Sequence, residues 1–158
     1  IGETIMKILL VEPNYKNKYP PMGLMKISTY HKERGDEVTF FKGVMDSKDF
    51  LENQYDRVYI TSLFTFYYSQ TIKTIKNYEK LISPERIFIG GIMVSLLKEK
   101  IKGDIDDRVT ILTGLLTDSC ILKLGDSVNI DILPLDYSIL DDIVYKYPAG
   151  DNYFAYIS

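Results

Sequence analysis

Five short apolar runs separated by helix-like segments limit the folds open to this chain. The first run, residues 8–11, is apolar throughout, which is typical of a strand buried on both faces of a sheet. The others lie at residues 38–41, 57–61, 87–89 and 109–112. Strands that alternate with helices are normally parallel and joined by right-handed crossovers. The sequence therefore predicts an α/β fold: a doubly wound five-stranded parallel sheet with helices on both faces and the first strand in its interior.

Charge and cysteine content exclude several classes of function. The 158 residues carry 19 basic and 22 acidic side chains, and the net charge of -3 argues against a nucleic-acid or anionic-membrane partner. Cys120 is the one cysteine, which excludes an internal disulfide and favours a cytoplasmic location. A single thiol also cannot hold zinc or an iron–sulfur cluster. No apolar run approaches the roughly 20 residues of a membrane-spanning helix.

The loops after the predicted strands are the expected binding region. In an open parallel sheet, ligands bind beyond the carboxyl ends of the strands, where the strand order reverses. Four segments are predicted to meet there: residues 13–23, 61–67, 90–93 and 113–117. The candidate cofactor-binding residues in these segments are Pro13, Asn14, Tyr19, Pro21, Gly23, Thr61, Ser62, Leu63, Thr65, Gly90, Gly91 and Gly114.

Two of these loops have an unusual composition. Gly90 and Gly91 directly follow a buried run, where the absence of a Cβ lets a backbone approach a ligand closely; a plain strand-to-helix turn is the alternative. Residues 61–68 hold three hydroxyl side chains and then four aromatic rings. Such a wall suits a flat, largely apolar ligand. The rings could instead pack under the following helix or meet a partner domain.

Several common sites are absent from the sequence. There is no Gly-x-Gly-x-x-Gly or Walker loop, which disfavours nicotinamide and nucleoside triphosphate binding. Thr61 or Ser62 stands where a phospho-receiver domain would carry an aspartate. His31, the only histidine, is predicted to be a partly exposed helix residue, and Cys120 a small buried thiol. Without a complete active site, the chain is expected to be catalytically inert.

Several short motifs nevertheless occur in a distinctive order. They are MKILLVEP at residues 6–13, YPPMGL at 19–24, ERGDEV at 33–38, Ser62-Leu63 and Gly90-Gly91, followed by residues 131–137 and 153–158. This pattern resembles the N-terminal cobalamin-binding-type, flavodoxin-like domain of radical S-adenosylmethionine proteins. The resemblance extends over nearly the whole chain.

The resemblance implies a strand order 2-1-3-4-5 and a cobalamin-type pocket at the loop ends. Residues 1–125 would form the domain, and residues 126–158 would connect it to a catalytic radical S-adenosylmethionine barrel of the same polypeptide. The parent enzyme would use an iron–sulfur cluster and S-adenosylmethionine. Its Cys-x3-Cys-x2-Cys motif would follow Ser158, so the chain is expected to be truncated before the cluster. The connector is expected to be poorly anchored without its barrel.

Two departures from the family leave three hypotheses open. The Asp-x-His-x-x-Gly cobalt-ligand motif is missing, and GLLTD at residues 114–118 replaces the Gly-Glu-Gly-Glu stretch common in these proteins. The chain could be a cobalamin-binding module of a radical enzyme. It could be a vestigial structural domain that binds no cofactor and packs on the barrel. It could also be an unrelated flavodoxin-like module for a flavin or another small ligand.

Overall fold

A computed structural model of the chain describes residues 5–14, 20–62 and 67–140. The strands of its single sheet are β1 (Lys7–Glu12), β2 (Glu37–Lys42), β3 (Arg57–Ser62), β4 (Ile87–Gly91) and β5 (Thr110–Ile111). All of the pairings are parallel, and the strand order is β2-β1-β3-β4-β5. The predicted α/β fold class, strand number and strand order are therefore confirmed.

The interior position of β1 follows from its composition. Leu9 pairs with Thr39 on one side and with Val58 on the other. Residues 8–11 are all 0% exposed, so both faces of this strand are covered. Burial on two faces selects a run without polar side chains, as the sequence predicted.

Helices cover both faces of the sheet. The helices are α1 (Met22–Arg34), α2 (Ser47–Asn53), α3 (Tyr68–Glu79), α4 (Ile92–Leu96) and α5 (Lys98–Asp104). Helices α2 to α5 cover one face of the sheet. Their buried side chains pack in the same core as Leu9 and Val58 of the sheet; they are Phe50, Ile75, Val94 and Ile101. The face that carries Ile8 and Leu10 is covered by α1.

The sequence pattern also predicts helices at residues 68–82 and 93–101, and these two helices and β5 differ from their predicted boundaries. The helix predicted at residues 93–101 is two short helices separated at Leu97, whose backbone angles are not helical. The helix predicted at residues 68–82 ends at Glu79, ahead of Pro84, which starts a short 3-10 turn and disfavours a helical conformation before it. β5 is only two residues long, shorter than the predicted run at 109–112, and it pairs with β4 alone.

Residues 118–140, here called the strap, complete the face that α1 covers. Leu122 and Ile130 of the strap are 0% exposed and join the core beneath α1. The strap includes short 3-10 turns at Ser119–Leu122, Ile130–Ile132 and Tyr137–Leu140. One helix is too narrow to cover five strands, so the strap supplies the missing apolar cover.

Three aspartates fasten the strap to side chains of α1. Asp126 accepts a hydrogen bond from the Tyr30 hydroxyl at 2.7 Å, and Asp136 accepts one from Ser28 at 2.6 Å. Asp131 lies 3.4 Å from the Lys26 ammonium. The expectation that the chain is poorly anchored after residue 126 is therefore wrong for residues 126–140. Residues 141–158 lie outside the described part of the chain.

The 3-10 turn at Ser119–Leu122 also decides the environment of the cysteine. Ser119 and Leu122 turn inward and are buried, whereas Cys120 and Ile121 are exposed. The prediction of a buried thiol is wrong, because the period of this turn places the two central residues on the solvent side. Asp118 raises the pKa of the Cys120 thiol through a hydrogen bond, which disfavours the reactive thiolate.

Hydrogen exchange tests the anchoring of the strap. The amides of Ser119, Val128 and Asp131 donate to acceptors within the chain. We expect them to exchange at least about 100-fold more slowly than in an unstructured peptide, because opening would expose Ile130. The amide of Asp107, an exposed residue whose N–H donates no backbone hydrogen bond in the described part of the chain, serves as the fast-exchanging control. Equal exchange rates at Asp107 and at the three strap amides would show that the strap is not anchored.

Candidate functional site

The carboxyl edge of the sheet brings together most of the described candidate residues. Pro13 and Asn14 follow β1, while Thr61 pairs with Gly90 and Ser62 pairs with Gly91 across β3 and β4. The strand order reverses between β1 and β3, which is where open α/β sheets hold ligands. The topology therefore places these predicted residues at one edge, as the sequence pattern suggested.

Ser62 and Gly91 contact each other so closely that little room remains between them. A Cβ on Gly91 would lie 2.9 Å from the carbonyl carbon and the amide nitrogen of Ser62, and closer still to its carbonyl oxygen. The Ser62 hydroxyl donates to the Gly90 carbonyl at 2.8 Å and accepts from the Val94 amide at 3.2 Å. Close packing against the Ser62 backbone thus explains why position 91 is a glycine. This explanation agrees with the alternative that the glycine pair forms a plain strand-to-helix turn.

The other candidate glycines have more space around them. A Cβ on Gly23 or Gly114 would meet nothing within 4 Å, whereas one on Gly90 would touch Leu112 at an ordinary 3.6 Å. Gly23 is the second residue of α1, and the preceding Pro21 is buried and accepts a hydrogen bond from the Met25 amide. A side chain could therefore be added at Gly23 or Gly114 without a steric clash.

Asn14 forms part of the contact between the loop after β1 and α3. Gln70 donates a hydrogen bond to the Asn14 carbonyl oxygen. The Asn14 side chain also lies against Gly43, whose φ of +96° places it in the left-handed region. A substitution at Gly43 would be strained in that backbone conformation and would crowd Asn14, so this glycine fixes the position of the loop.

A buried ion pair, which the sequence analysis missed, lies at the same edge. Glu12 ends β1 and is 1% exposed, and its carboxylate lies 3.3 Å from the ammonium of Lys42, its register partner at the end of β2. A buried charge is stable only when it is paired. An acidic residue directly after an apolar strand, with a basic residue at the end of the next strand, was the signal available in the sequence.

Exposed apolar side chains form a second feature of this edge. Of the ten large apolar side chains exposed in the described residues, five follow the ends of strands: Met22, Val44, Ile92, Leu96 and Leu115, here called the apolar rim. A hydrogen bond connects the segments that carry Leu96 and Leu115, because the hydroxyl of the neighbouring Ser95 accepts from the Gly114 amide at 3.0 Å. Large apolar side chains exposed beyond the ends of neighbouring strands are candidate contacts for a ligand or a partner surface.

Three candidate residues, Tyr19, Leu63 and Thr65, lie outside the described residues, as do Phe64 and Phe66 of the predicted aromatic wall. Of that wall, Tyr67 and Tyr68 are described, and Tyr68 turns away from the carboxyl edge. Its hydroxyl bonds to Asp104, and the ammonium of Lys100 lies 4.3 Å from its ring centroid. Tyr68 therefore packs α3 against α5, which is the packing alternative considered for these aromatics.

His31 lies in a buried network near the amino edge of the sheet, far from the loops that carry the candidate site. Its Nδ1 is 2.7 Å from Asp36, and its Nε2 is 2.7 Å from the Tyr59 hydroxyl, to which Arg57 also donates at 3.1 Å. His31 is 0% exposed, so the prediction of a partly exposed side chain is wrong. Asp36, five residues further along the chain, and Tyr59 on β3 supply the hydrogen bonds that allow this burial.

The protonation state of this network follows from burial. Burial lowers the pKa of His31 to about 4, although its hydrogen bond to Asp36 acts in the opposite direction. Neutral His31 then donates from Nδ1 to Asp36 and accepts from the Tyr59 hydroxyl. Burial also raises the pKa of Tyr59, so the phenol stays protonated. This arrangement satisfies each of these hydrogen-bonding groups and stabilises the fold.

Two further findings bear on function. In the described part of the chain, no group of three or more His, Cys, Asp or Glu side chains could hold a metal ion. None of its helices combines the length and apolar character needed to cross a bilayer. A scan against protein-family models gives no match for this chain, and a search of curated proteins gives none either. The functional argument therefore rests on the fold and on the geometry of the carboxyl edge.

Proposed function

We propose that this chain is the N-terminal module of a radical S-adenosylmethionine enzyme and that the carboxyl edge of its sheet holds cobalamin. The apolar rim carries the proposal, because it exposes large side chains at the edge where this strand order places ligands. A large ring with apolar faces would remove these side chains from water. The family resemblance of the sequence points to the same ligand.

The described residues fit cobalamin in part. A Cβ on Gly23 or Gly114 would meet no atom within 4 Å, so neither position obstructs a ligand locally, and the rim offers it an apolar surface. Ser62 cannot contribute a free hydroxyl, since its bonds go to Gly90 and Val94. His31 is buried near the other edge of the sheet, so it is not the cobalt ligand. Bound cobalamin would supply a cobalt centre for group transfer, and this chain would hold and orient the ring.

A second candidate is a structural module that binds no cofactor and docks its carboxyl edge on the barrel of the same polypeptide. The close contact between Ser62 and Gly91 favours it, because the glycine pair is already filled by the protein's own backbone. In that case the apolar rim would be covered by protein rather than by a ligand. The two candidates use the same surface and differ in what covers it.

Titration with hydroxocobalamin, followed by visible absorbance, tests the first candidate. We expect saturable binding that Ile92→Asp weakens at least about tenfold, because a carboxylate on the rim would have to be desolvated beneath the ring. The matched control is Leu51→Asp on α2. Leu51 and Ile92 are similarly exposed, at 61% and 58%, but Leu51 is not a rim residue. The control should bind like the unmodified chain.

The same titration on the full-length polypeptide separates the two candidates. Failure of both the chain and the full-length protein to bind cobalamin would favour the structural module. Binding that Ile92→Asp and Leu51→Asp weaken equally would refute the rim as the binding surface. The gene sequence beyond the codon for Ser158 tests the proposed enzyme class, since three closely spaced cysteines should follow.

A further inference from the structure

A cleft at the β5 edge of the sheet has the features of a second, separate ligand site. It has a volume of about 420 Å³, within the roughly 300–1,000 Å³ of small-molecule pockets. Here called the β5 cleft, it is lined by Lys98, Lys102, Ile105, Asp106, Asp107, Val109 and Ile111. The loop that precedes β5 forms part of the lining, so the cleft opens toward the amino end of that strand.

The floor of the β5 cleft is apolar. Ile105 and Val109 are buried members of the core, and Ile111 packs against the same core while remaining partly exposed. β5 pairs with β4 on one side, and no described strand pairs with its other side. An apolar body in the cleft would therefore cover Ile111 and extend the core at an edge that is otherwise open.

The wall formed by α5 carries positive charge. Lys98 and Lys102 are four residues apart and therefore lie on the same face of the helix. Lys98 is half-buried and makes no ion pair with any described residue. The described partner of Lys102 is Glu99, at 3.8 Å, and both of these side chains are largely exposed. Both lysines thus line the cleft, and neither has a strong described partner.

Of the two acidic residues of the lining, Asp106 is already paired, and only Asp107 opposes this positive wall. The Asp106 carboxylate accepts hydrogen bonds from the Arg108 amide and guanidinium at 2.9–3.0 Å. The bonds from Arg108 lower the pKa of Asp106 to about 2, so it stays ionised and paired with that residue. Asp107 is exposed on the loop. The charge free to meet a ligand on the α5 side is therefore positive.

We propose that the β5 cleft binds a small molecule with an apolar body and one carboxylate, its body on the Ile105, Val109 and Ile111 floor and its carboxylate between Lys98 and Lys102. Apolar contact supplies affinity, and the lysine pair selects an anion over a neutral analogue. This site is independent of cobalamin and of the carboxyl edge, so either proposal can fail without the other.

The probe for this site is octanoate, titrated into the isotopically labelled chain and followed by amide resonances. We expect saturable shifts at Val109 and Ile111, and an affinity at least about tenfold lower for octanamide, which lacks the charge. A Lys98→Gln/Lys102→Gln variant should bind octanoate at least about tenfold more weakly than the unmodified chain. The control, Lys48→Gln/Lys73→Gln, removes two exposed lysines from other helices and should leave the affinity unchanged.

Three outcomes would overturn the proposal. They are the absence of saturable shifts up to about 10 mM octanoate, equal affinity for octanamide, and shifts confined to the apolar rim. Lys98→Gln alone serves if the double variant is less stable, and it should still weaken octanoate binding. Asp107→Asn gives a further check, because removal of a nearby negative charge should tighten octanoate binding and leave octanamide binding unchanged.

Discussion

Gly91→Ala is expected to destabilise the domain by about 4 kcal/mol, or to prevent its folding, because two costs combine at this position. The φ of Gly91 is +107°, a conformation that L side chains rarely adopt, and this strain costs about 1–3 kcal/mol. The new Cβ would also collide with the backbone of Ser62. Overpacking of this kind costs about 1–3 kcal/mol or more, since a paired strand cannot move aside easily.

Alanine substitutions at two other glycines distinguish the cost of backbone strain from the cost of the steric collision. The free energy of unfolding of each variant is measured in urea. Gly114→Ala introduces a positive-φ alanine with nothing within 4 Å, so it should lose only about 1–2 kcal/mol. Gly90→Ala meets only Leu112 at an ordinary distance and should change stability by less than about 1 kcal/mol. A Gly91→Ala variant as stable as Gly90→Ala would refute the close contact between β3 and β4.

Acidification is expected to remove about 3 kcal/mol of stability through His31 alone. Its pKa is about 4 in the folded chain against an ordinary 6.5, chiefly because of burial. The folded state thus favours neutral histidine, and the unfolded state binds the proton more tightly. The stability from this group is fully present above pH 6.5 and is lost progressively as the pH falls toward 4.

Urea unfolding between pH 7 and pH 4 measures this loss, with His31→Gln as the control. Glutamine keeps an amide that can hydrogen-bond but does not titrate. This variant should be less stable at pH 7 and should show a pH dependence smaller by about 3 kcal/mol. The difference between the two proteins isolates His31 from the carboxylates, which also titrate at the lower end of this range. Parallel pH profiles for the two proteins would mean that His31 is not buried in its neutral form.

Much of the fold could be predicted from the sequence because its signals are local. An uninterrupted apolar run at residues 8–11 predicted an interior strand, and alternation with helices predicted a parallel sheet. The strand order was implied by the family resemblance. The strap was missed because Leu122 and Ile130 are separated by polar turns, and a chain without helical or strand periodicity gives no signal of burial.

The candidate site was predictable in position but not in detail. The parallel topology brings the loops to one edge, so their residues could be named in advance. Whether a glycine makes room for a ligand or for a neighbouring strand depends on distances across the sheet, as Gly91 and Ser62 show. The pairing of Glu12 with Lys42 likewise depends on strand register.

The sequence by itself determined the class of fold, since the period and length of apolar runs decide which segments become strands buried on two faces. Only the tertiary structure decided the environments of single polar side chains. His31 is buried because Asp36 and Tyr59, brought together by the fold, satisfy both of its ring nitrogens. Cys120 is exposed because a single turn directs Leu122 inward instead. Such environments depend on how the side chains pack in three dimensions, which the apolar pattern of the sequence does not specify.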